Sequence, residues 1–344
     1  MLDAEIENLH RPVMLREVLE AFEPKMGGIF IDATLGLGGH SAAILDAFAD
    51  ISMIGIDQDP EAIAFARKKL KGFDKRVQIF EGNFSQISRI AAREGASEVS
   101  GILADLGVSS IQLDTPTRGF SFRFDSPLDM RMNPGSGGRT AAELLKSIDQ
   151  DELANLIYQY GEERASRKIA KWIVEKRESG QPIETTFQLA ELVRRAVPRK
   201  PKDKIDPATR TFQALRIAVN DELEILENFI SDAVDLLKTD GVLAIITFHS
   251  LEDRIVKHAF QKLAGKCQCP PRIPHCVCGA ARKVEVMTRK PIVATEAENF
   301  ENPRARSAKL RVCRKLNKPL PGDKPLKYAK EKYSQAHTAQ DRQK

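Results

Sequence analysis

The sequence of 344 residues has few cysteines and no long apolar run. Five cysteines are an odd number in a long chain, which argues against a disulfide scaffold and predicts a reducing, cytoplasmic compartment. Residues 242–248 form one of the longest apolar runs, far short of the ~20 residues that a membrane-spanning helix needs. Residues 1–10 are acidic and lack the apolar centre of a signal peptide. We therefore expect neither export nor contact with a membrane.

The composition is that of a folded protein, with 42% apolar and 29% charged residues, which excludes disorder of the whole chain. The net charge of +5 is unevenly spread: residues 262–344 carry +13 and residues 1–261 carry −8. Such asymmetry favours a polyanionic partner near the C-terminal part. A solvated basic tail is the alternative interpretation.

The first hundred residues alternate apolar strands with helical patterns. The predicted strands are residues 28–34, 51–57, 77–80 and 100–105. Strands separated by helices of this length are typical of βαβ units. The pattern predicts an α/β fold with a parallel sheet that is covered on both faces.

The alternation stops after the fourth strand. Residues 114–138 form a loop rich in Pro, Gly, Asp and Arg, and a helical region without strands follows. Strand patterns return at residues 241–248, 283–288 and 308–314, after a long helix predicted over 209–238. We predict a sheet domain from residues 1–113 and 209–316, a helical insertion at 114–208, and a basic tail at 317–344. The oligomeric state is unknown.

Residues 32–40 (DATLGLGGH) lie between the first strand and a helix. Glycines at such a turn let the backbone approach a ligand closely, but the spacing does not fit the dinucleotide fingerprint. Asp57, Phe84 and Asp105 follow the next three strands. Ligands of open α/β sheets bind outside the carboxyl ends of strands, and an acid after the second strand can accept ribose hydroxyls. We predict a nucleoside-type ligand in this crevice. A plain strand-to-helix turn and a helix-capping Asp57 are the alternatives.

Seven segments together resemble one family, the RsmH (MraW) 16S rRNA cytosine-N4-methyltransferases. They are residues 10–14 (HRPVM), 105–114 (DLGVSSIQLD), 118–123 (RGFSFR), 127–131 (PLDMR), 208–216 (ATRTFQALR), 248–254 (FHSLEDR) and 302–307 (NPRARS). The glycine turn is similar to motif I of S-adenosylmethionine (SAM) methyltransferases. The resemblance implies a class I, Rossmann-like SAM-dependent methyltransferase sheet with an inserted helical domain. It also implies methylation of a cytidine N4 amine in the decoding region of 16S rRNA, within the small ribosomal subunit.

The resemblance also assigns site residues. The implied SAM-binding residues are Gly38, Gly39, His40, Asp57, Phe84, Asp105 and Gln112. The usual Pro-Pro motif of amino-methyltransferases is absent after Asp105, so Asp105 is the first candidate for the catalytic hydrogen-bond acceptor and Ser109 the second. No metal is expected in the reaction. The alternatives are a DNA amino-methyltransferase and a non-catalytic RNA-binding assembly factor.

Two further patterns allow more than one interpretation. Cys267, Cys269, Cys276 and Cys278 form two C-x-C pairs, which fit a structural zinc site, a redox pair or a metal-free loop. Phenylalanines at 120, 122 and 124 alternate with Arg118 and Arg123. This alternation is typical of a base-stacking surface with phosphate contacts, or of a strand with one buried face. Arg304 and Arg306 in the basic segment are further candidates for phosphate contact.

Overall fold

The computed structural model describes residues 11–22, 27–198, 205–270 and 277–322. The strands in these ranges are β1 Gly28–Asp32, β2 Ile51–Asp57, β3 Val77–Glu81, β4 Val99–Asp105, β5 Leu237–Thr247, β6 Ala281–Val286, β7 Ile292–Val293 and β8 Lys309–Pro321. None of the helices in the described ranges combines the length and apolar character needed to cross a bilayer.

The helices fall into three groups along the chain. Those of the first half of the sheet are α1 Leu15–Phe22, α2 Gly39–Ala47, α3 Pro60–Lys69, α4 Ile87–Arg93 and α5 Ser110–Asp114. The strand-free region holds α6 Ala141–Ser147, α7 Gln150–Gly161, α8 Ser166–Glu178, α9 Thr186–Ala196 and α10 Ala208–Asn220. The C-terminal part holds α11 Leu226–Leu236, α12 Ser250–Leu263 and α13 Glu296–Glu301.

One sheet runs through the described residues in the order β3-β2-β1-β4-β5-β8-β6, with β7 beside β8. Strands β1 to β5 are parallel, and β8 runs antiparallel to both β5 and β6. Strands β2 and β3 are added on one side of β1, and β4 and β5 on its other side, so the strand order reverses between β1 and β4. Such a reversal opens a crevice at the carboxyl ends of the strands. The predicted α/β fold with a parallel sheet is confirmed.

Both faces of the sheet are buried, as the continuous apolar strands require. In β5, Leu243 and Ile245 face the core formed with α4, α11 and α12. Their neighbours Ala244 and Ile246 face the opposite core, formed with α1, α2 and α3. This period-two alternation places one helical layer on each side of the sheet.

The helical region has a core of its own, separate from the two cores of the sheet. It is built from side chains between Phe120 and Leu215, and it includes Ala208 and Phe212 of α10. The predicted boundary at 208/209 assigned α10 to the sheet domain, whereas its apolar side packs with α7 in the helical core. The division into a sheet domain and a helical insertion stays a proposal, which the separate core supports with α10 on the helical side.

Two predicted segments differ in the structure. The single helix predicted over residues 209–238 is wrong. Helix α10 ends at Asn220, the left-handed backbone of the next residue, Asp221 (φ 51°), stops it, and α11 begins at Leu226. The basic tail predicted from residue 317 begins later, because β8 continues to Pro321 by pairing with β6. Residues 323–344 of that tail lie outside the described residues.

The start of the described chain is bound to its C-terminal part. The Arg11 guanidinium pairs with Glu301 at 2.7 Å, and the Met14 backbone N–H donates to Glu298 at 2.5 Å. The Asn302 side chain donates to the Arg11 carbonyl at 3.1 Å. Residues 11–14 are thereby held beside α2, which begins at the glycine turn.

Candidate active site

A cavity of about 430 Å³ lies at the carboxyl ends of β1 to β5. Its lining comes from the segments that follow each of these five strands, and from α10 and residues 304–307. This volume is in the range of small-molecule and cofactor sites. The sheet order sets β2 and β3 at one side of the cavity, β4 in the middle and β5 at the other side.

The glycine turn forms the wall next to β1. Gly36 and Gly38 have left-handed backbones, with φ of 52° and 74°. A Cβ at Gly38 would lie 3.1 Å from the Leu70 side chain, so the turn needs glycine there. Gly36 and Gly39 line the cavity, whereas Gly38 lies behind it and opens α2. Gly38 therefore shapes the turn and does not face the cavity.

Asp57 ends β2 and connects this strand to the glycine turn. Its carboxylate accepts the Gly36 N–H at 2.7 Å and the Asp59 N–H at 2.8 Å, one on each oxygen. Burial raises the pKa of Asp57 to about 6, although the backbone N–H groups of Asp59, Gly36 and Gln58 lower it. Each oxygen keeps a lone pair for a further donor at the cavity wall. The capping role belongs to Asp59, which accepts from Glu61 N–H at the start of α3.

Phe84 follows β3 and provides an apolar wall. Its ring meets the ring of Phe229 edge to face, with centroids 5.0 Å apart, and it also lines the cavity. The neighbouring Asn83 side chain donates to Gln58 at 3.0 Å. Packing against α11 fixes the position of the aromatic ring at the cavity.

Asp105 ends β4 in the middle of the cavity. Its backbone N–H donates to the Thr34 hydroxyl at 2.6 Å. Its Oδ1 is buried and has no hydrogen-bond partner among the described residues. Burial, together with the charges of Asp32 and Glu252, raises the pKa of Asp105 well above its usual value. A buried unpaired acceptor is costly, so this atom marks a place for a ligand donor or cation.

His40 lies beside Asp105 on the first turn of α2. The His40 Nε2–H donates to the Val13 carbonyl at 2.9 Å, and its Nδ1 lies 3.7 Å from Asp105 Oδ2. Residues 11–14 thus hold the imidazole against the centre of the cavity.

Ser109 and Gln112 are joined in the capping box of α5. The Ser109 hydroxyl accepts the Gln112 N–H at 3.3 Å, and Gln112 Oε1 accepts the Ser109 N–H at 2.9 Å. The Gln112 side-chain amide also donates to Asp59 at 2.8 Å. Both residues line the cavity, and Gln112 fixes α5 to the segment after β2.

The β5 side of the cavity holds charged residues to which the sequence analysis gave no role. Arg216 pairs through two nitrogens with Glu222, both at 2.8 Å. Glu252 accepts the backbone N–H groups of Phe248 and His249 at 2.8 and 3.2 Å, and its other oxygen lies 3.0 Å from His249 Nε2. The available signal was that residues 208–216 and 248–254 are segments of the family resemblance.

Glu222, His249 and Glu252 bring three possible ligand atoms within 4.8 Å of one another. However, Arg216 already neutralises Glu222, and backbone N–H groups already bind Glu252. The His249 imidazole also lowers the pKa of Glu252, although burial opposes it. Arg216 and the backbone thus pair the two carboxylates, whereas His249 Nε2 makes no hydrogen bond among the described residues although it lies 3.0 Å from Glu252. This group offers a polar wall for a ligand.

Several residues predicted to contact RNA are buried instead of exposed. Arg118 is buried and pairs with Asp59 at 2.8 Å and Glu61 at 3.1 Å, so its predicted phosphate contact is wrong. Phe120 is buried in the helical core, and Phe122 packs against Phe212 with centroids 4.9 Å apart. Phe120 therefore belongs to the helical core, and the partly buried Phe122 packs against it.

The remaining candidates for RNA contact are more accessible. The side chains of Phe124 and Arg123 are exposed, and Arg123 pairs with Asp114 at 3.4 Å. Arg304 lines the cavity, donates to Ser110 and pairs with Asp114 at 2.5 Å. Arg304 therefore ties the C-terminal segment to α5, while its neighbour Arg306 is exposed to solvent.

The sheet order, the glycine turn after β1 and the acid at the end of β2 define a class I SAM-dependent methyltransferase. Residues 7–316 match the model of the MraW methylase family, and the chain belongs to that family. Ribosomal RNA small subunit methyltransferase H of Geobacter sulfurreducens is 51% identical over 309 residues, which cover 89% of this chain and 99% of that protein.

Two further relatives carry the same name. The protein of Trichlorobacter lovleyi is 50% identical and that of Fusobacterium nucleatum is 49% identical. Each alignment covers 89% of this chain, and 98% and 97% of the two relatives respectively. The chain is thus similar to these methyltransferases over nearly their full length.

Proposed function

We propose that the protein transfers the methyl group of SAM to the exocyclic N4 amine of a cytidine in the decoding region of 16S rRNA. The relatives named as small-subunit rRNA methyltransferases support the substrate class. The observation that carries the chemistry is the buried, unpaired Oδ1 of Asp105 at the centre of the cavity. We propose a cytoplasmic reaction on the small ribosomal subunit.

The β1–β3 side of the cavity fits SAM. Asp57 has one free lone pair on each oxygen for the two ribose hydroxyls, and Phe84 offers an apolar wall to the adenine. Gly36 and Gly39 allow close approach of the methionine part, and His40 borders it near Asp105. When bound, SAM supplies an electrophilic methyl group on a sulfonium.

Two of the proposed binding residues, Gln112 and Gly38, act without a direct contact to SAM. Gln112 lines the cavity, but its side-chain amide hydrogen-bonds to Asp59 and to the Ser109 backbone. Gln112 therefore supports the cavity wall. Gly38 acts through the shape of the turn. The direct contacts thus rest mainly on Asp57, Phe84 and Asp105.

The β5 side fits the cytosine. It is polar, and it lies across Asp105 from the proposed SAM side because β4 separates β1 from β5. The N4 amine is a weak nucleophile, since its lone pair is delocalised into the ring. Asp105 Oδ1 accepts one N4–H and draws the nitrogen toward tetrahedral geometry. Ser109, at the same wall, is the second acceptor.

Asp105 also provides a base for the proton released from nitrogen. Methyl transfer forms the N–C bond, breaks the S–C bond and leaves an extra proton on N4. The raised pKa of Asp105 makes its carboxylate a better proton acceptor than an exposed aspartate. Holding the amine and the methyl group in line supplies most of the remaining acceleration.

The test is methyl transfer from tritiated SAM to four acceptors: 30S particles, free 16S rRNA, duplex DNA and a 16S rRNA with the target cytidine replaced by uridine. Nucleoside mass spectrometry then identifies the product. We expect N4-methylcytidine from small-subunit RNA and no transfer to the uridine variant. Preferred labelling of DNA would instead support a DNA amino-methyltransferase. SAM binding without any transfer would support a non-catalytic assembly factor.

A further inference from the structure

The loop between α12 and β6 brings three thiols together. The sulfurs of Cys267, Cys269 and Cys278 all lie within 4.8 Å of one another. The sulfurs of Cys267 and Cys278 are 3.8 Å apart. This distance is too long for a disulfide, which holds its sulfurs ~2.0 Å apart. It equals the ~3.8 Å edge of a tetrahedron with Zn–S bonds of ~2.3 Å.

The backbone around these sulfurs is arranged to hold thiolates. The Gln268 N–H donates to Cys278 Sγ, and the Val277 N–H donates to Cys269 Sγ, each at 3.4 Å. Each of these donors lies next in sequence to another cysteine of the cluster, so the two short segments hydrogen-bond to each other through sulfur. Donors aimed at sulfur favour the charged form, which is the form that binds metal.

We propose that Cys267, Cys269 and Cys278 bind a structural zinc ion. Three thiolates leave a net charge of −1 around Zn²⁺, and the surrounding segment carries a net charge of +13. The fourth position of a tetrahedral ion goes to a further donor. Cys276 lies outside the described residues, and the proposal rests on the three described thiols alone.

The position of the cluster predicts a structural role. Helix α12 begins at Ser250, beside the cavity, and its 14 residues carry the chain roughly 20 Å away from it. Strand β6 starts from the same end of the sheet, where Arg282 pairs with Ala264. The ion would join the end of α12 to the start of edge strand β6, far from Asp105.

The fifth cysteine offers a matched control. Cys313 lies in β8 and is fully buried in the apolar core. Burial raises the pKa of its thiol, which disfavours the thiolate that would bind a metal. Cys313 belongs to neither group of possible metal ligands found among the described residues. Zinc bound by the three clustered cysteines should therefore be retained in the variant Cys313→Ala.

The experiment measures metal in the full chain, purified without metal-affinity steps, by inductively coupled plasma mass spectrometry. We expect about one zinc per chain in the native protein and in Cys313→Ala, and a loss of at least tenfold in the double variant Cys267→Ser/Cys278→Ser. Cobalt loaded into the native protein should show thiolate charge-transfer absorption, which the double variant should lack.

Calorimetric SAM binding shows that each variant is folded, and we expect its affinity to stay within about twofold of native. A native protein that contains no zinc and takes up none, or a Cys267–Cys278 disulfide after alkylation and mass mapping, would overturn the proposal. Zinc retained by the folded double variant would overturn it as well. A double variant that fails to bind SAM is replaced by Cys269→Ser alone, for which the same zinc loss is expected. These results are independent of the methyl acceptor.

Discussion

The two sides of the cavity are built in different ways. The β1–β3 side uses short-range elements: a glycine turn, a strand-end carboxylate and an aromatic ring directly after a strand. The β5 side uses pairs between separate helices and loops, such as Arg216 with Glu222 and Glu252 with the backbone before α12. Under the proposed function, the short-range elements would hold the nucleoside cofactor, and the long-range pairs would face the polar base.

Asp105 stands between the two sides, and its replacement should have the largest effect. Asp105→Asn keeps the shape but removes the carboxylate that accepts the N4 proton. We expect the single-turnover methylation rate of 30S particles at saturating SAM to fall roughly 10²–10⁴-fold. The SAM dissociation constant, from calorimetry, should rise by about tenfold at most, because Asp105 is one of three direct SAM contacts. An equal loss in both quantities would assign Asp105 to SAM binding alone.

Replacement of Asp57 should act on the cofactor side only. Asp57→Ala removes two charge-assisted acceptors, each worth ~1.5–3 kcal/mol at most, so SAM affinity should fall by up to roughly 10²–10⁴-fold. The methylation rate at saturating SAM should be largely kept. Thermal melting tests whether the loss of the Gly36 hydrogen bond disturbs the turn. Unchanged SAM affinity in a folded variant would refute the ribose contact.

The protonation of Asp57 should make both the folding stability and the SAM affinity depend on pH. Asp57 has a pKa of about 6 in the folded protein, above the 3.8 of an unperturbed aspartate, so the free folded state holds its proton more tightly. The stability of the free protein therefore loses this contribution as the pH rises from about 4 to 6. SAM affinity should move the opposite way, rising about tenfold from pH 5 to pH 7 as the carboxylate forms. Calorimetry that shows a flat affinity over this range would contradict the assignment.

Replacement of His249 should have the smallest effect on activity, and this effect should fall on binding of the RNA acceptor at the β5 side. His249→Asn keeps a good N-cap for α12 and removes only the imidazole from the wall. We expect the KM for 30S particles to rise several-fold while SAM affinity stays within about twofold. If SAM affinity falls as much as acceptor binding, the two sides are not functionally separate.

The parts of the fold and site that depend on local patterns were predictable. Strand β2 has the predicted bounds, and the parallel sheet follows from alternating strands and helices. Asp57 and Asp105 were found because parallel strands bring their carboxyl ends to one edge. The cavity-lining Gly36 and Gly39 come from the same turn, although Gly38 lies behind it.

The parts that depend on distant partners were not predictable. Arg118 looked like an exposed phosphate ligand because its partner Asp59 precedes it by more than fifty residues. The role of α10 was missed because its apolar face packs on α7, not on the sheet. The Arg216–Glu222 pair joins residues on either side of the end of α10, whereas the sequence pattern predicts one continuous helix through this position.

The contact between Arg11 and Glu301 joins residues 290 positions apart. Such contacts close late, because nearly the whole chain must be made before the partner exists. A ribosome that synthesises this protein therefore releases residues 11–14 long before α13 can hold them beside His40. Until then the turn that faces the proposed cofactor lacks its outer support. The order of synthesis thus delays a complete cofactor site until the chain is almost finished.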